Sequence, residues 1–333
     1  MRHRNRSVLT NSITALAFAF AVGCGKNNNN NQNPGGGGPD GGNPDGGALG
    51  SGALTSSSPA VVGSDTTFGF PTDAAPSPDG TTIYFAASGS LGSGIFSVPA
   101  AGGAANPVSV GGNIVAPLAI ALSSDGNTIY GADPAFTTDK DNGAIFSVGK
   151  GGGAAAALNE TADYAPRSLA VVKVGGTDNI YFAGNDKTDG SAGIFKDAGG
   201  TVSKVLAADA QAIAAYTDGT VYFIDSSGSV QKVAAGGTTA TALGTAASGL
   251  KVNFPAGIEV SQDGKFVLVP VTAAGKQSIA RIDVSSGATT QLGLGLDTNT
   301  EAGGIHRAAN ADVYSFIDSG AGATGDGTIY LLK

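Results

Sequence analysis

The chain has 333 residues, of which 54 are Gly, 41% are hydrophobic and 13% are charged. The apolar share suffices for a folded core, and a single Cys excludes an internal disulfide framework and a Cys-based zinc cluster. The formal charge is −8, with 26 acidic side chains against 18 basic ones; nucleic acid, which needs a basic stripe to replace phosphate counterions, is excluded as a partner.

Residues 1–23 read as an export leader. Arg2, Arg4 and Arg6 precede a short apolar run from Ile13 to Val22, too short to span a bilayer as a helix. The run ends in Ala21-Val22-Gly23-Cys24, which resembles the bacterial lipobox, with Ala21 where that family usually has Leu. The resemblance implies that Cys24 becomes the lipidated N-terminus and that several acyl chains make the anchoring stable. Gly25, in place of the Asp that favours inner-membrane retention, implies the outer membrane. Residues 24–52 then form an Asn/Gly/Pro linker that can bury nothing, and as a Gly-rich coil it reaches about 30 Å. A monomeric lipoprotein of the bacterial cell envelope is expected, held on its membrane by this tether.

From residue 53 to 333 the chain repeats itself. Six copies carry a polar turn followed by Ile-Tyr or its equivalent: SPDGTTIYFAAS (77–88), SSDGNTIYGADP (123–134), VGGTDNIYFAGND (174–186), YTDGTVYFIDSS (216–227), SQDGKFVLVPVT (261–272) and NADVYSFIDSG (310–320). The first five are followed by a second strand, such as GIFSVPAAGG (94–103), that ends in small residues. Asp-Gly pairs suit tight hairpins, and a period of about forty to fifty residues is that of a four-stranded blade. The reading is all-β and one domain, a six-bladed β-propeller. The sixth copy lacks an outer strand, and Ala53–Val62 is available to complete that last blade from the N-terminal side. The SPDG/SSDG turn before IYF resembles the TolB-like propellers. The IYFA…GIFSVPAAGG pattern resembles the six-bladed YWTD, NHL and lactonase-type propellers. These resemblances imply a fold and no one activity.

Motifs for chemistry are sparse. Residues 320–325 match GxGxxG but run into the strand GTIYLLK, not a helix, and no GxSxG is present. The inner strands repeat small–aliphatic–Ala, as in Ala119-Ile120-Ala121, Ser168-Leu169-Ala170 and Ala212-Ile213-Ala214. The fifth and sixth copies break the rule at the same level, with Glu259 after Gly257-Ile258 and His306 after Gly304-Ile305. The two are expected to share the central channel, with Glu301, Arg167 and Gln211 on other inner strands as possible companions. Such a pair serves as an acid/base couple or part of a metal site, or else as an ion pair filling space between blades. The lactonase resemblance implies a metal at the channel mouth, but Thr72 and Asp73 stand where such an enzyme has Glu. Asp133, Asp139 and Asp141 form a fragment of a calcium loop without its distal Glu, and Asp186, Asp225 and Asp318 end strands where Asp usually caps a turn. The expected function is a binding or scaffold module for a protein or small ligand of the envelope, with no cofactor beyond a divalent cation such as calcium. The alternative is a metal-dependent, lactonase-like hydrolase.

Overall fold

The computed structural model describes residues 59–63, 68–137, 142–243, 251–253, 255–296, 302–320 and 327–333. The predicted leader, Cys24 and the linker lie outside the described residues.

Each polar turn closes an antiparallel pair, and each pair grows into a four-stranded sheet. The first described strand, β1 (Ala60–Gly63), precedes blade 1, which is built from β2 (Gly69–Pro76), β3 (Thr82–Gly89), β4 (Gly92–Pro99) and β5 (Asn106–Val110). Blade 2 holds β6 (Ala119–Leu122), β7 (Thr128–Asp133), β8 (Ala144–Gly149) and β9 (Ala156–Ala157). Blade 3 holds β10 (Tyr164–Val174), β11 (Thr177–Asp186), β12 (Ala192–Ala198) and β13 (Val202–Leu206). Blade 4 holds β14 (Ala210–Ala215), β15 (Val221–Asp225), β16 (Val230–Val233) and β17 (Ala240–Ala242). In blade 5 the inner strand is split into β18 (Lys251–Val252) and β19 (Glu259–Val260), both paired with β20 (Phe266–Ala273), followed by β21 (Lys276–Asp283) and β22 (Thr289–Gly293). Blade 6 holds β23 (Ala302–Arg307), β24 (Tyr314–Asp318) and β25 (Thr328–Leu332), with β1 as its outer strand. The protein is a six-bladed β-propeller.

The Ile-Tyr-Phe pattern explains how the blades stack. Successive side chains of a strand point to opposite faces, and here both faces are buried. On β3, Ile83, Phe85 and Ala87 pack with Ile317, Ile329 and Leu331 of blade 6. Tyr84 and Ala86 point the other way, into Ile120, Ile129 and Phe146 of blade 2. The turns between first and second strands also touch the preceding blade. At Gly126, φ is +68° and an added Cβ would lie 2.6 Å from Pro78 of blade 1, so conformation and space both require Gly.

Ring closure follows the expected route, through β1; residues 53–58 of the predicted segment lie outside the described residues. Ala60 pairs with Leu331 and Val61 with Tyr330. Tyr330, Leu331 and Leu332 are buried, and Tyr330 stacks on Phe316 with ring centroids 4.9 Å apart. Deleting Tyr330–Lys333 therefore removes three buried side chains worth roughly 2 kcal/mol or more each, along with the partner of β1. The truncated protein is expected to lose its cooperative melt by far-UV circular dichroism; melting within a few degrees of the intact chain would contradict this closure. At Gly126, replacement by Ala is expected to cost about 1–3 kcal/mol in urea unfolding.

Candidate functional site

The turn geometry puts the inner strands in a common register. Backbone bonds from Ser77, Ser123, Tyr216, Ser261 and Ala308 close the turns after five inner strands. Two residues before these positions stand Ala75, Ala121, Ala214, Glu259 and His306. The first three are buried, and the last two come together as the sequence indicates. His306 Nδ1 lies 3.8 Å from Glu259 Oε2. The nearer partner is one the sequence reading passed over: Asp73 of β2, whose Oδ2 lies 3.0 Å from His306 Nε2. Blades 5, 6 and 1 thus each contribute one member of a single charged cluster.

The cluster's lone pairs and protons are taken up by the fold. Asp73 accepts hydrogen bonds from the backbone N–H of Ala74 (2.9 Å, Oδ1) and of Ile120 in blade 2 (2.9 Å, Oδ2). Glu259 accepts from the N–H of Val260 (2.7 Å, Oε1) and of Arg307 in blade 6 (3.0 Å, Oε2). Arg307 Nε donates to Val260 O at 3.3 Å, and its Nη1 donates to Ala308 O at 2.7 Å. Two carboxylates therefore flank one imidazole, while the Arg307 guanidinium is taken up by backbone carbonyls. The side chains of Asp73, Glu259 and His306 are 4%, 16% and 17% exposed, so they are nearly sealed from solvent. Burial pushes the imidazole pKa down, but the Asp73 charge, its hydrogen bond and Glu259 outweigh that and raise His306 to about 9. At neutral pH this favours an imidazolium, with Nε2 hydrogen-bonded to Asp73 and Nδ1 lying 3.8 Å from the Glu259 carboxylate, beyond hydrogen-bond reach.

Glycine makes room for this cluster. Gly304, with φ +57°, occupies the level in blade 6 that Asp73 occupies in blade 1, and a Cβ there would lie 2.5 Å from Asp73 Oδ1. The same level carries an inter-blade contact elsewhere in the ring. Ser168 Oγ accepts from the N–H of Ile213 (3.1 Å), as Asp73 accepts from Ile120.

The other described sequence candidates are not hydrogen-bonded to the cluster. Arg167 and Gln211 sit in β-bulges at the entry of their strands, as Thr72 does in blade 1. Arg167 donates to Asp209 (2.7 Å) and to Asn185, and Gln211 is exposed. Thr72 Oγ1 donates to Pro117 O at 2.8 Å. Glu301, Asp139 and Asp141 lie outside the described residues. Asp133 is fully buried and accepts from the N–H groups of Val115 (2.8 Å), Ala116 (3.1 Å) and Ala135 (2.8 Å). Burial pushes its carboxyl up and these donors pull it down, with burial prevailing. Asp186, Asp225 and Asp318 each accept the N–H of the residue two positions on, the geometry of a turn cap. Among the described residues, no group of three or more His, Cys, Asp or Glu side chains is placed to hold a metal ion.

A second polar cluster escaped the sequence reading because amides carry no charge. Asn253, buried at the break between β18 and β19, donates to Gln277 Oε1 and to Ala302 O, both at 2.7 Å. Thr272 Oγ1 donates to Asn253 Oδ1 at 2.7 Å and accepts from Gln277 Nε2 at 3.1 Å. This closed network joins blade 5 to blade 6 where the strand ladder is interrupted.

Solved structures share the propeller fold. A TolB protein of Agrobacterium tumefaciens superposes with a TM-score of 0.55 at 14% identity, covering 79% of this chain and 90% of that one. In fold, the chain is a six-bladed propeller similar to that TolB protein. A propeller from a nidogen/laminin complex gives a TM-score of 0.51 at 16% identity, over 67% of this chain and 79% of that chain. The aldose sugar dehydrogenase of Streptomyces coelicolor gives 0.52 at 12% identity, over 83% and 98%. No family model and no curated protein sequence matches the chain. At these identities the TolB-like likeness is one of fold.

The His306 pKa sets a pH signature. Because it is raised above the ordinary value of 6.5 to about 9, its stabilisation is full below 6.5 and is lost as pH rises through 9. The intact protein is expected to lose on the order of 3 kcal/mol across that range, and His306→Gln is expected to remove most of that slope. Urea unfolding at a series of pH values checks this; parallel slopes in the two proteins would show that the imidazole carries no such charge.

Proposed function

We propose that the propeller is a binding or scaffold module that engages a protein or small ligand of the cell envelope and is tethered there through a lipid on Cys24. The observation that carries this reading is the placement of His306, with Nε2 3.0 Å from Asp73 and Nδ1 3.8 Å from Glu259. An imidazolium facing two carboxylates, themselves occupied by backbone N–H groups, has no lone pair with which to take a proton from a substrate or to ligate a metal. The cluster's work is to hold blades 5, 6 and 1 together, which leaves the loops at the strand-entry end as the surface for recognition. The fold shared with a propeller of a nidogen/laminin complex supports a role in protein assembly. The lipobox resemblance and the linker support the tether.

The discriminating experiment is a pull-down from the native envelope with the tagged protein, repeated after chelation with EDTA. The reading predicts one or a few specific partners, retained after chelation and retained by a folded His306→Gln variant. Recovery of none contradicts the binding role. Partners lost with EDTA and restored by calcium would instead establish a cation-dependent module. Metabolic labelling with a radioactive fatty acid is expected to mark the wild type and to fail with Cys24→Ser; label in both would overturn the anchor.

A further inference from the structure

Five Asp-Gly pairs lie among the described residues: Asp79-Gly80, Asp125-Gly126, Asp189-Gly190, Asp218-Gly219 and Asp263-Gly264. In such a pair the second residue has no Cβ, so its nitrogen can swing onto the Asp side chain once the carboxyl group is released from its own donors. Four of the five carboxylates are held by a side-chain donor. Asp79 Oδ1 accepts from Ser77 Oγ (2.6 Å) and Thr81 Oγ1 (2.9 Å), Asp125 Oδ1 from Ser123 Oγ (2.7 Å), and Asp263 Oδ1 from Ser261 Oγ (2.8 Å). The Ser77 and Ser123 hydroxyls hold the carboxyls of Asp79 and Asp125 below the usual range, the latter at about 2. At Asp189 the Ser191 hydroxyl does the same, helped by the charge of Lys204.

Asp218 departs from this pattern. It is exposed, and among the described residues its one hydrogen-bond donor is the backbone N–H of Thr220, at 2.7 Å. The cause is Tyr216, which takes the position of Ser77, Ser123 and Ser261. In all four turns that residue's carbonyl accepts from the N–H of the Gly three positions on, at 2.8, 2.8 and 2.9 Å for the Ser turns and 2.8 Å for Tyr216. Tyr216 serves the seam between blades instead. Its Cζ lies 2.6 Å from where a Cβ on Gly264 of blade 5 would stand, and its hydroxyl donates to Gln262 O at 3.4 Å. Gly219 is also the least confined of the four glycines. The nearest atom to a Cβ there is Ala235 Cβ at 3.4 Å, against 2.9 Å at Gly80 and 2.6 Å at both Gly126 and Gly264. Attack on the side chain requires the Asp–Gly peptide plane to rotate, and of these four turns this one has the most room for it.

We propose that Asp218-Gly219 is a site of spontaneous isoaspartate formation, a modification from which the other four described Asp-Gly pairs are protected by their side-chain donors. The Gly219 nitrogen forms a bond to Asp218 Cγ. Its proton and the hydroxyl of the protonated carboxyl leave as water, and a succinimide closes. Water then adds to one of the two ring carbonyls. Breaking the bond from nitrogen to Cγ restores aspartate. Breaking the bond from nitrogen to the Asp218 backbone carbonyl carbon leaves the chain running through the side chain, as isoaspartate. Water is lost and regained, and no oxidant or reductant is consumed. The Gly N–H bond to the first carbonyl of the turn is common to the four turns, so the hydroxyl donors decide between them. The product has one extra carbon in the backbone of the turn that carries Tyr216, the contact of blade 4 with blade 5. The inference is independent of the binding-module reading.

The test is incubation of the full chain at neutral pH in water labelled with heavy oxygen, since each round of ring closure and opening leaves one labelled oxygen on the aspartyl residue. Digestion in ordinary water and fragment-ion mass spectrometry then locate the label pair by pair. Asp218 is expected to gain label at least about tenfold faster than Asp79, Asp125, Asp189 and Asp263, the factor that one hydrogen bond to a charged group carries. In urea-unfolded protein the five rates are expected to converge. Ser261→Ala is expected to raise the rate at Asp263, and Tyr216→Ser to lower it at Asp218, each read in protein that still melts cooperatively. The comparison of folded with unfolded wild type stands even if a variant fails to fold. Equal rates in the folded protein, or another of the five pairs in the lead, would overturn the site. So would a preference for Asp218 that persists in urea, because local sequence and not the fold would then be its cause. An unchanged Asp263 in folded Ser261→Ala would overturn the protective role of the hydroxyl.

Discussion

A propeller must close, and closure is the constraint on which every other contact in this protein depends. Each blade is covered on one face by the blade before it and on the other by the blade after it, so a ring that opens at one seam exposes two apolar faces. The seam here lies between blades 5, 6 and 1 and is held at three radii. At the periphery β1 pairs with β25, so residues from both ends of the propeller share one sheet. In the body, the amides of Asn253 and Gln277 bridge a break in the inner strand of blade 5. At the axis Asp73, His306 and Glu259 join three blades by charge.

Charge at the axis is costly unless it is paired and hydrogen-bonded. The cluster meets both conditions. Two carboxylates flank the imidazolium of His306, and each carboxylate also takes two backbone N–H groups. Compared with the Ala found at the same level in blades 1, 2 and 4, this arrangement stabilises only if it is complete. It therefore favours one arrangement of the three blades over others. The small residues around it are part of the same solution, since Gly304 leaves the space that the Asp73 carboxylate fills.

The architecture was legible in the sequence because its determinants are local and repeated. Asp-Gly turns, the Ile-Tyr-Phe alternation and a missing outer strand specify blade, blade count and closure without long-range information. The departure at Glu259 and His306 was legible for the same reason, since both replace Ala at one position of the repeat. Asp73 was not, because it breaks the small-residue rule two positions earlier in its own strand. Only the twist of the blades brings that level against His306. The Asn253–Gln277 network was hidden in polar residues that look like surface in a sequence.

The functional reading depends on the axial cluster serving as structure rather than as chemistry, and the imidazole itself reports which it is. Titration of His306 by carbon–nitrogen correlated NMR in histidine-labelled protein, assigned by comparison with His306→Gln, tests this directly. A pKa near 9, with both ring nitrogens protonated at neutral pH, is the predicted result. A value at or below the ordinary 6.5, with one nitrogen free at neutral pH, would contradict the account and return the pair to the role of an acid–base couple.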